Sequence, residues 1–187
     1  MLKKPVKSIG PFKLIARAIR ARGFSRDEKG VTAIEFGLLA LPFFAIIGAI
    51  LETALVFLAS QVLDSAVNDS SRFIRTGQAH VANYTAASYR AAICDGLYGL
   101  FDCAQLKIKV SPVANFSGAN IGATTDPVTG AWTISENYNH GIGADIILVE
   151  AYYKWPIALN LFDFNLSNLP DNTRMLSAVR VFRNEPF

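Results

Sequence analysis

Residues 31–59 form one long apolar run, VTAIEFGLLALPFFAIIGAILETALVFLA, in which Glu35 and Glu52 are the ionisable positions. About 20 such residues cross the hydrocarbon of a bilayer as a helix, so the run is long enough to span with a turn or two to spare. The core helix of a small domain keeps a polar face, and this run is apolar all round. Residues 61–76, QVLDSAVNDSSRFIRT, then hold Val62, Ala66, Phe73 and Ile74 near helical phase with polar residues between them, which predicts that the helix continues as far as Gly77. Asn83 is a candidate cap for a second, alanine-rich helix over residues 84–95, closed by Gly96.

Beyond Cys103 the period changes to two. Leu106, Ile108 and Val110 alternate with Lys107 and Lys109, the pattern of a half-buried strand, which Pro112 is expected to stop. Three further strands are predicted over residues 131–138, 144–155 and 174–182. The Ile146, Ile147, Leu148, Val149 run marks a central strand buried on both faces. Residues 115–130, rich in Gly, Asn and Thr with Asp126-Pro127 and Gly130 as turn chemistry, predict a mobile loop or a wide hairpin. These elements add up to an α+β chain. It has a long N-terminal transmembrane helix and a small extracytoplasmic domain of helix plus antiparallel sheet, divided as a leader (1–30), a helix with its extension (31–76) and the outer domain (77–187).

Composition sharpens this reading. Of the 187 residues, 51% are hydrophobic and 18% charged, apolar for an ordinary soluble domain. The net charge of +3 is unevenly spread: residues 1–30 carry Lys3, Lys4, Lys7, Lys13, Arg17, Arg20, Arg22, Arg26 and Lys29 against Asp27 and Glu28, while the rest of the chain is net acidic. Positive charge confined to the flank of an apolar span is a topology signal and not a nucleic-acid footprint, so no nucleic-acid partner is expected. It sets the N-terminus in the cytoplasm and everything beyond about Ser60 outside. Residues 13–22, KLIARAIRAR, repeat apolar and basic positions at helical spacing, either to lie along an anionic inner leaflet or as a solvated tail.

The residues at the membrane boundary carry the chemistry. Lys29-Gly30 is followed by Val31, Thr32, Ala33, Ile34, Glu35 and Phe36, and the apolar run is broken by Pro42. Glycine, four residues, glutamate and an aromatic, opening a hydrophobic helix, resembles the cleavage site of type IV prepilins and pseudopilins. That resemblance implies cutting after Gly30 by a membrane prepilin peptidase, with Val31 as the new N-terminus and Glu35 as its fifth residue. The longer string KGVTAIEFGLLALPFFAIIGAILE resembles the TadE-like pilus-assembly proteins through the Glu-Phe pair, Pro42 and Glu52, and the closing VFRNEPF resembles the end of many members of that family. The partners the resemblance implies are membrane lipid, the peptidase, other pilins and pseudopilins, and an inner-membrane pilus assembly platform.

Physical chemistry adds roles to these residues. Glycine lacks a Cβ, so the backbone at Gly30 can fit closely into a protease cleft. A carboxylate at Glu35 is expensive in lipid. It either pairs with the free α-amino group of Val31 on the same or a neighbouring subunit, or it snorkels to the inner interface. Pro42 removes a helical hydrogen bond, as a kink or a passive bend. Glu52, deeper along the run, either pairs with another subunit or reaches water at the outer face.

Cys94 and Cys103 enclose a short loop with Gly96 and Gly99, which suits a local disulfide outside the cytoplasm; the alternative is two free thiols in a reducing compartment. His80 and His140 have no neighbouring cysteine and no His-x-x-x-His spacing, so they read as surface histidines, and no metal or cofactor is expected. No Gly-x-Ser-x-Gly, Walker loop or paired catalytic carboxylates occurs, so enzyme function is not expected. The expected role is a minor pseudopilin of a tight-adherence pilus or related secretion system, anchored in the bacterial inner membrane. The rivals are a permanently anchored extracytoplasmic binding module, in which Gly30 is never cut, and a secreted enzyme.

Overall fold

The computed structural model describes residues 31–161 and 164–187; the basic leader and Gly30 lie outside them. Helix α1 runs unbroken over Val31–Arg75. It is followed by the single turn α2 (Gln78–Val81), helix α3 (Ala86–Asp95) and strands β1 (Lys107–Val113), β2 (Asn137–Tyr138), β3 (Ile146–Pro156), β4 (Asn160–Leu161), β5 (Phe164–Asn165) and β6 (Thr173–Arg183). The chain is α+β, and it divides into two compact units, Met1–Ile47 and Gly48–Phe187. The division falls inside α1, so its second half folds with the sheet.

Helix α1 buries Glu52, Val56, Ala59, Leu63, Ala66, Val67, Ser70, Ser71 and Ile74. Steps of three and four residues put these positions on one stripe. The helical phase read from Val62, Ala66, Phe73 and Ile74 is close to this stripe: Ala66 and Ile74 lie in it, and Val62 and Phe73 flank the core half-buried. The sequence reading passes over Leu63 and Val67, which are fully covered, each contributing about 1.5–3 kcal/mol by leaving water. Two serines inside the stripe are satisfied locally: the Ser71 hydroxyl donates to the Val67 carbonyl, and the Ser70 hydroxyl lies within hydrogen-bond distance of both that carbonyl and the buried Tyr89 hydroxyl.

The stripe packs on a four-stranded sheet of order β2-β1-β3-β6. β3 pairs antiparallel with β1 (Val110 opposite Val149) and with β6 (Ala151 opposite Ala178). Ile108, Val110, Ile147, Val149, Ala151, Tyr153, Leu176 and Ala178 share one buried cluster with the helix stripe. From Ile146 to Tyr153 every residue of β3 is buried, as the continuous apolar run indicates for a strand covered on both faces.

The sheet departs from expectation in three places. It is mixed, because β2 joins β1 in parallel at Lys109–Asn137 and Val110–Tyr138. The strand expected over residues 131–138 shrinks to Asn137–Tyr138. Trp132 is drawn instead into a bridge with Thr125, and the Glu136 carboxylate takes the Ile108 N–H that a longer ladder would have used. Residues 115–130 form a loop that opens with a 3-10 turn at Phe116–Gly118; the antiparallel Thr125–Trp132 bridge closes a short hairpin at its end, its turn held by Asp126 Oδ1 accepting from the Val128 and Thr129 amides. Pro112 does not stop β1. Ile108 N–H and Val110 C=O both face away from β3, so by alternation the nitrogen of Pro112 faces that same side, past the end of β2, where no ladder bond is lost.

The first helical cap also differs. Asn83 holds a left-handed conformation after α2, and Thr85 caps α3 through a reciprocal capping box with Ser88. At the other end of α3, Gly96 is right-handed (φ −82°), so its value is not turn geometry. A Cβ there would stand 2.9 Å from the Cβ of Ala66 on α1. Its missing side chain is what lets α3 close on the long helix. Nearby, a disulfide joins Cys94 to Cys103 with Cα atoms 6.1 Å apart, fastening the end of α3 to the segment entering β1.

Substituting Gly96→Val should therefore destabilise the fold by about 1–3 kcal/mol, the usual cost of forcing extra carbons into a packed contact. Denaturant unfolding of the detergent-solubilised chain, followed by near-ultraviolet circular dichroism, measures it; an unchanged midpoint would show that α1 and α3 do not pack so closely.

Candidate functional site

Among the described residues none of 31–51 is buried, and together they present a long exposed apolar surface. An 18-residue window of α1 has mean hydropathy 2.3 and is 0% buried, making α1 a helix long and apolar enough to cross a membrane. Phe36, Leu38, Leu39, Phe43 and Phe44 all stand exposed, Phe36 by 70%. At 1.5 Å per residue this stretch is roughly 31 Å long, the thickness of the hydrocarbon core. A surface of this kind requires lipid or other helices around it.

The sequence-predicted residues are distributed along this stretch. Val31 is the first residue of α1 and is exposed. Glu35 is exposed one turn further on, and among the described residues it has no cationic partner. Pro42 sits inside α1, which stays helical through it; its missing N–H leaves the Leu38 carbonyl without a helical partner.

Glu52 takes neither of the roles read from sequence. It is only 8% exposed, and its Oε1 accepts from the backbone N–H of Ala158 (2.5 Å) and Leu159 (3.1 Å), with Oε2 3.2 Å from the latter. The carboxylate thus receives the amides of the turn that follows β3, and charge-assisted bonds of this kind are the strong ones. Gly48, one turn earlier, lets Leu159 approach: a Cβ there would stand 3.0 Å from the Leu159 Cδ1. Glu52 therefore marks where α1 passes from an uncovered helix to one wall of a folded domain. Higher on the same wall, Arg180 of β6 donates to Asp64 Oδ2 at 2.5 Å.

The C-terminal tail holds the far end of α1. Glu185 N–H donates to the Arg75 carbonyl (2.9 Å), one of the carbonyls a helix end leaves open. Asn184, 2% exposed, donates from Nδ2 to the His140 and Ile142 carbonyls, both at 3.0 Å. Phe187 lies against Gly77, where a Cβ would stand 2.6 Å from the ring; Gly77 also takes φ +77°, a left-handed conformation natural to glycine. The same corner brings together two histidines sixty positions apart, His80 Nδ1 lying 3.3 Å from His140 Nε2. Burial, and then the neighbouring His80, hold His140 below the usual histidine range. No local pattern signals this pairing, since it depends on the tail and on the loop before β3.

Glu136 organises the other side of the domain. Its carboxylate accepts from Arg90 on α3 at 2.6 Å and from the Ile108 amide at 3.3 Å, and it lies 3.5 Å from Lys107 Nζ. Burial alone would raise its pKa, but the Ile108 and Arg90 hydrogen bonds and the charges of Arg90 and Lys107 outweigh it and hold the carboxyl below its usual value. Under the sheet, Glu150 is 1% exposed, accepts from the Tyr152 hydroxyl and stands 3.2 Å from Lys109 Nζ. Burial first, and then the bond to Glu150, push the Tyr152 phenol well above its usual range. These groups tie elements of the domain to one another, while Glu150 Oε2 and Arg90 Nε stay buried without a hydrogen-bond partner.

Residues 30–72 match the family described as TadE-like protein. That match covers the segment from the Gly30 boundary through the helix stripe. No curated protein and no solved structure matches the chain.

Glu52→Ala should leave the Ala158 and Leu159 amides without their acceptor, at a loss of about 1–3 kcal/mol, while Glu52→Gln keeps an oxygen and loses less. Amide hydrogen exchange reads this directly: faster exchange at Ala158 and Leu159 in the alanine variant is expected, and unchanged exchange there would contradict the anchor.

Proposed function

With a TadE-like segment over residues 30–72 as the premise, we propose that this chain is a minor pseudopilin, a non-enzymatic subunit of a tight-adherence pilus or a related secretion system. In this reading the chain is made as a single-pass inner-membrane protein with a cytoplasmic leader and an extracytoplasmic domain. A prepilin peptidase cuts after Gly30, and the exposed helix surface then packs laterally against the helices of other pilins and pseudopilins at the assembly platform. The observation that carries it is the uncovered apolar length of α1, on which Glu35 has no cationic partner among the described residues.

The division of labour follows from charge and position. Cutting removes the basic leader and with it the attraction to the anionic inner leaflet, so the helix becomes extractable. It also creates an α-amino group at Val31, four residues from Glu35. An amine and a carboxylate brought together into apolar surroundings stabilise each other, whereas either alone is strongly unfavourable there. Pairing between subunits would set the axial register of packed helices. Glu52 takes no part in that contact, because its carboxylate is occupied within its own domain.

Gly30→Leu is expected to leave full-length protein in the membrane, whereas Glu35→Ala should be cut normally and fail to enter fibres. N-terminal sequencing, with and without the peptidase, and quantitation of sheared fibres measure the two effects. A shared processing defect, or normal fibre incorporation of Glu35→Ala, would favour the permanently anchored binding module instead.

A further inference from the structure

Strand β6 is the last in the order β2-β1-β3-β6, so one of its edges has no neighbour within the sheet. Met175 N–H donates to Asn168 Oδ1, and the Thr173 carbonyl accepts from the Asn168 and Leu169 amides. Odd-numbered residues of β6 therefore turn their main chain away from β3, and by alternation Ser177, Val179, Val181 and Arg183 do so too. The start of this edge is closed by Asn168 and Leu169. Just past its end, Glu185 N–H is taken by Arg75. Between them, over residues 177–183, the one main-chain contact on the edge among the described residues is Arg180 Nη1 donating to the Val179 carbonyl.

An open edge of this length is a template for another strand, and proteins commonly guard such edges with proline, bulges or charge. Here the guard is arginine. β6 reads TRMLSAVRVFR, with Arg174, Arg180 and Arg183 and no acidic residue. Beside it lies a groove of about 360 Å³ whose lining includes Arg72, Arg75 and Arg180, with Asp69 as its acidic residue. Arg180 is paired with Asp64, and Arg75 reaches Glu185 at 3.9 Å, while among the described residues Arg72 has no ion-pair partner. A second copy of β6 laid antiparallel would set arginine-bearing strands against each other, a destabilising arrangement.

We propose that the free edge of β6 receives an extended acidic segment of another protein as an added strand, paired through the main chain of residues 177–183 and held by Arg72 and Arg75. Main-chain hydrogen bonds supply the general affinity, and carboxylates on alternate residues of the incoming segment, all on its helix-facing side, supply the selection. This docking surface belongs to the folded domain and depends neither on cleavage at Gly30 nor on helix packing through Glu35.

The test uses the full chain in neutral detergent and a fluorescent peptide alternating glutamate and valine, with a lysine–valine peptide as its counterpart. Saturable binding of the acidic peptide, with slowed amide exchange at Val179, Val181 and Arg183, is expected. Val181→Pro removes an N–H with no internal partner, so the fold should persist while binding weakens by about tenfold or more; the charge reversal Arg72→Glu with Arg75→Glu should do the same. If the proline variant unfolds, the exchange measurement on the unaltered chain decides. Failure of the acidic peptide to bind, equal binding of both peptides, unslowed exchange at those amides, or spontaneous Val181→Cys dimers that exclude the peptide would each overturn the proposal.

Discussion

Everything beyond the membrane-length stretch depends on one stripe of α1, from Glu52 to Ile74, lying against the sheet. A helix of 45 residues gains nothing in water from its own apolar surface unless that surface is covered. The sheet covers it with Ile108, Val110, Ile147, Val149, Ala151, Tyr153, Leu176 and Ala178. Polar ties then fix where along the helix the sheet sits: Glu52 on the Ala158 and Leu159 amides at one end, Asp64 with Arg180 in the middle, and the Arg75 carbonyl with Glu185 N–H at the other. Close-packed side chains already resist sliding along a helix. These three ties add directional contacts that hold the same register between α1 and the sheet.

This arrangement also gives the closing VFRNEPF a physical reason. Val181 to Arg183 complete β6, Asn184 bridges the carbonyls of His140 and Ile142, Glu185 closes the helix end, and Phe187 covers Gly77. Asn184 through its side chain and Glu185 through its main-chain N–H meet carbonyls that a loop and a helix end would otherwise leave open. The tail is therefore a lock on the domain.

Local pattern made the long helix, its stop before Gly77, the second helix and the central strand legible, because periodicity and turn chemistry depend on near neighbours. Chain-distant partners were not legible. Glu52 could be recognised as costly in lipid, but its acceptor role is decided by amides more than a hundred positions away. The strand over residues 131–138 failed for a related reason: the Glu136 side chain replaced a backbone ladder bond, and no propensity encodes that substitution. Gly96 does close the helix over 86–95, as the sequence indicates, but it is needed for close approach and not for a left-handed turn, which only the position of Ala66 reveals. At the candidate site, Val31, Glu35, Phe36 and Pro42 lie on the uncovered stretch as their apolar setting suggests, while Glu52 belongs to the domain.

Helix α1 changes environment at Glu52: among the described residues nothing before it is buried, and after it the helix is one wall of the domain. Nitroxide labels placed singly along residues 40–66 of the full chain in lipid vesicles report it through their accessibility to oxygen. High accessibility up to Leu51, followed by periodic minima at Val56, Ala59 and Leu63 against maxima at Phe57 and Leu58, is the expected result. Uniformly high accessibility through Ala59, with no helical period, would contradict the account and return that whole stretch to the membrane.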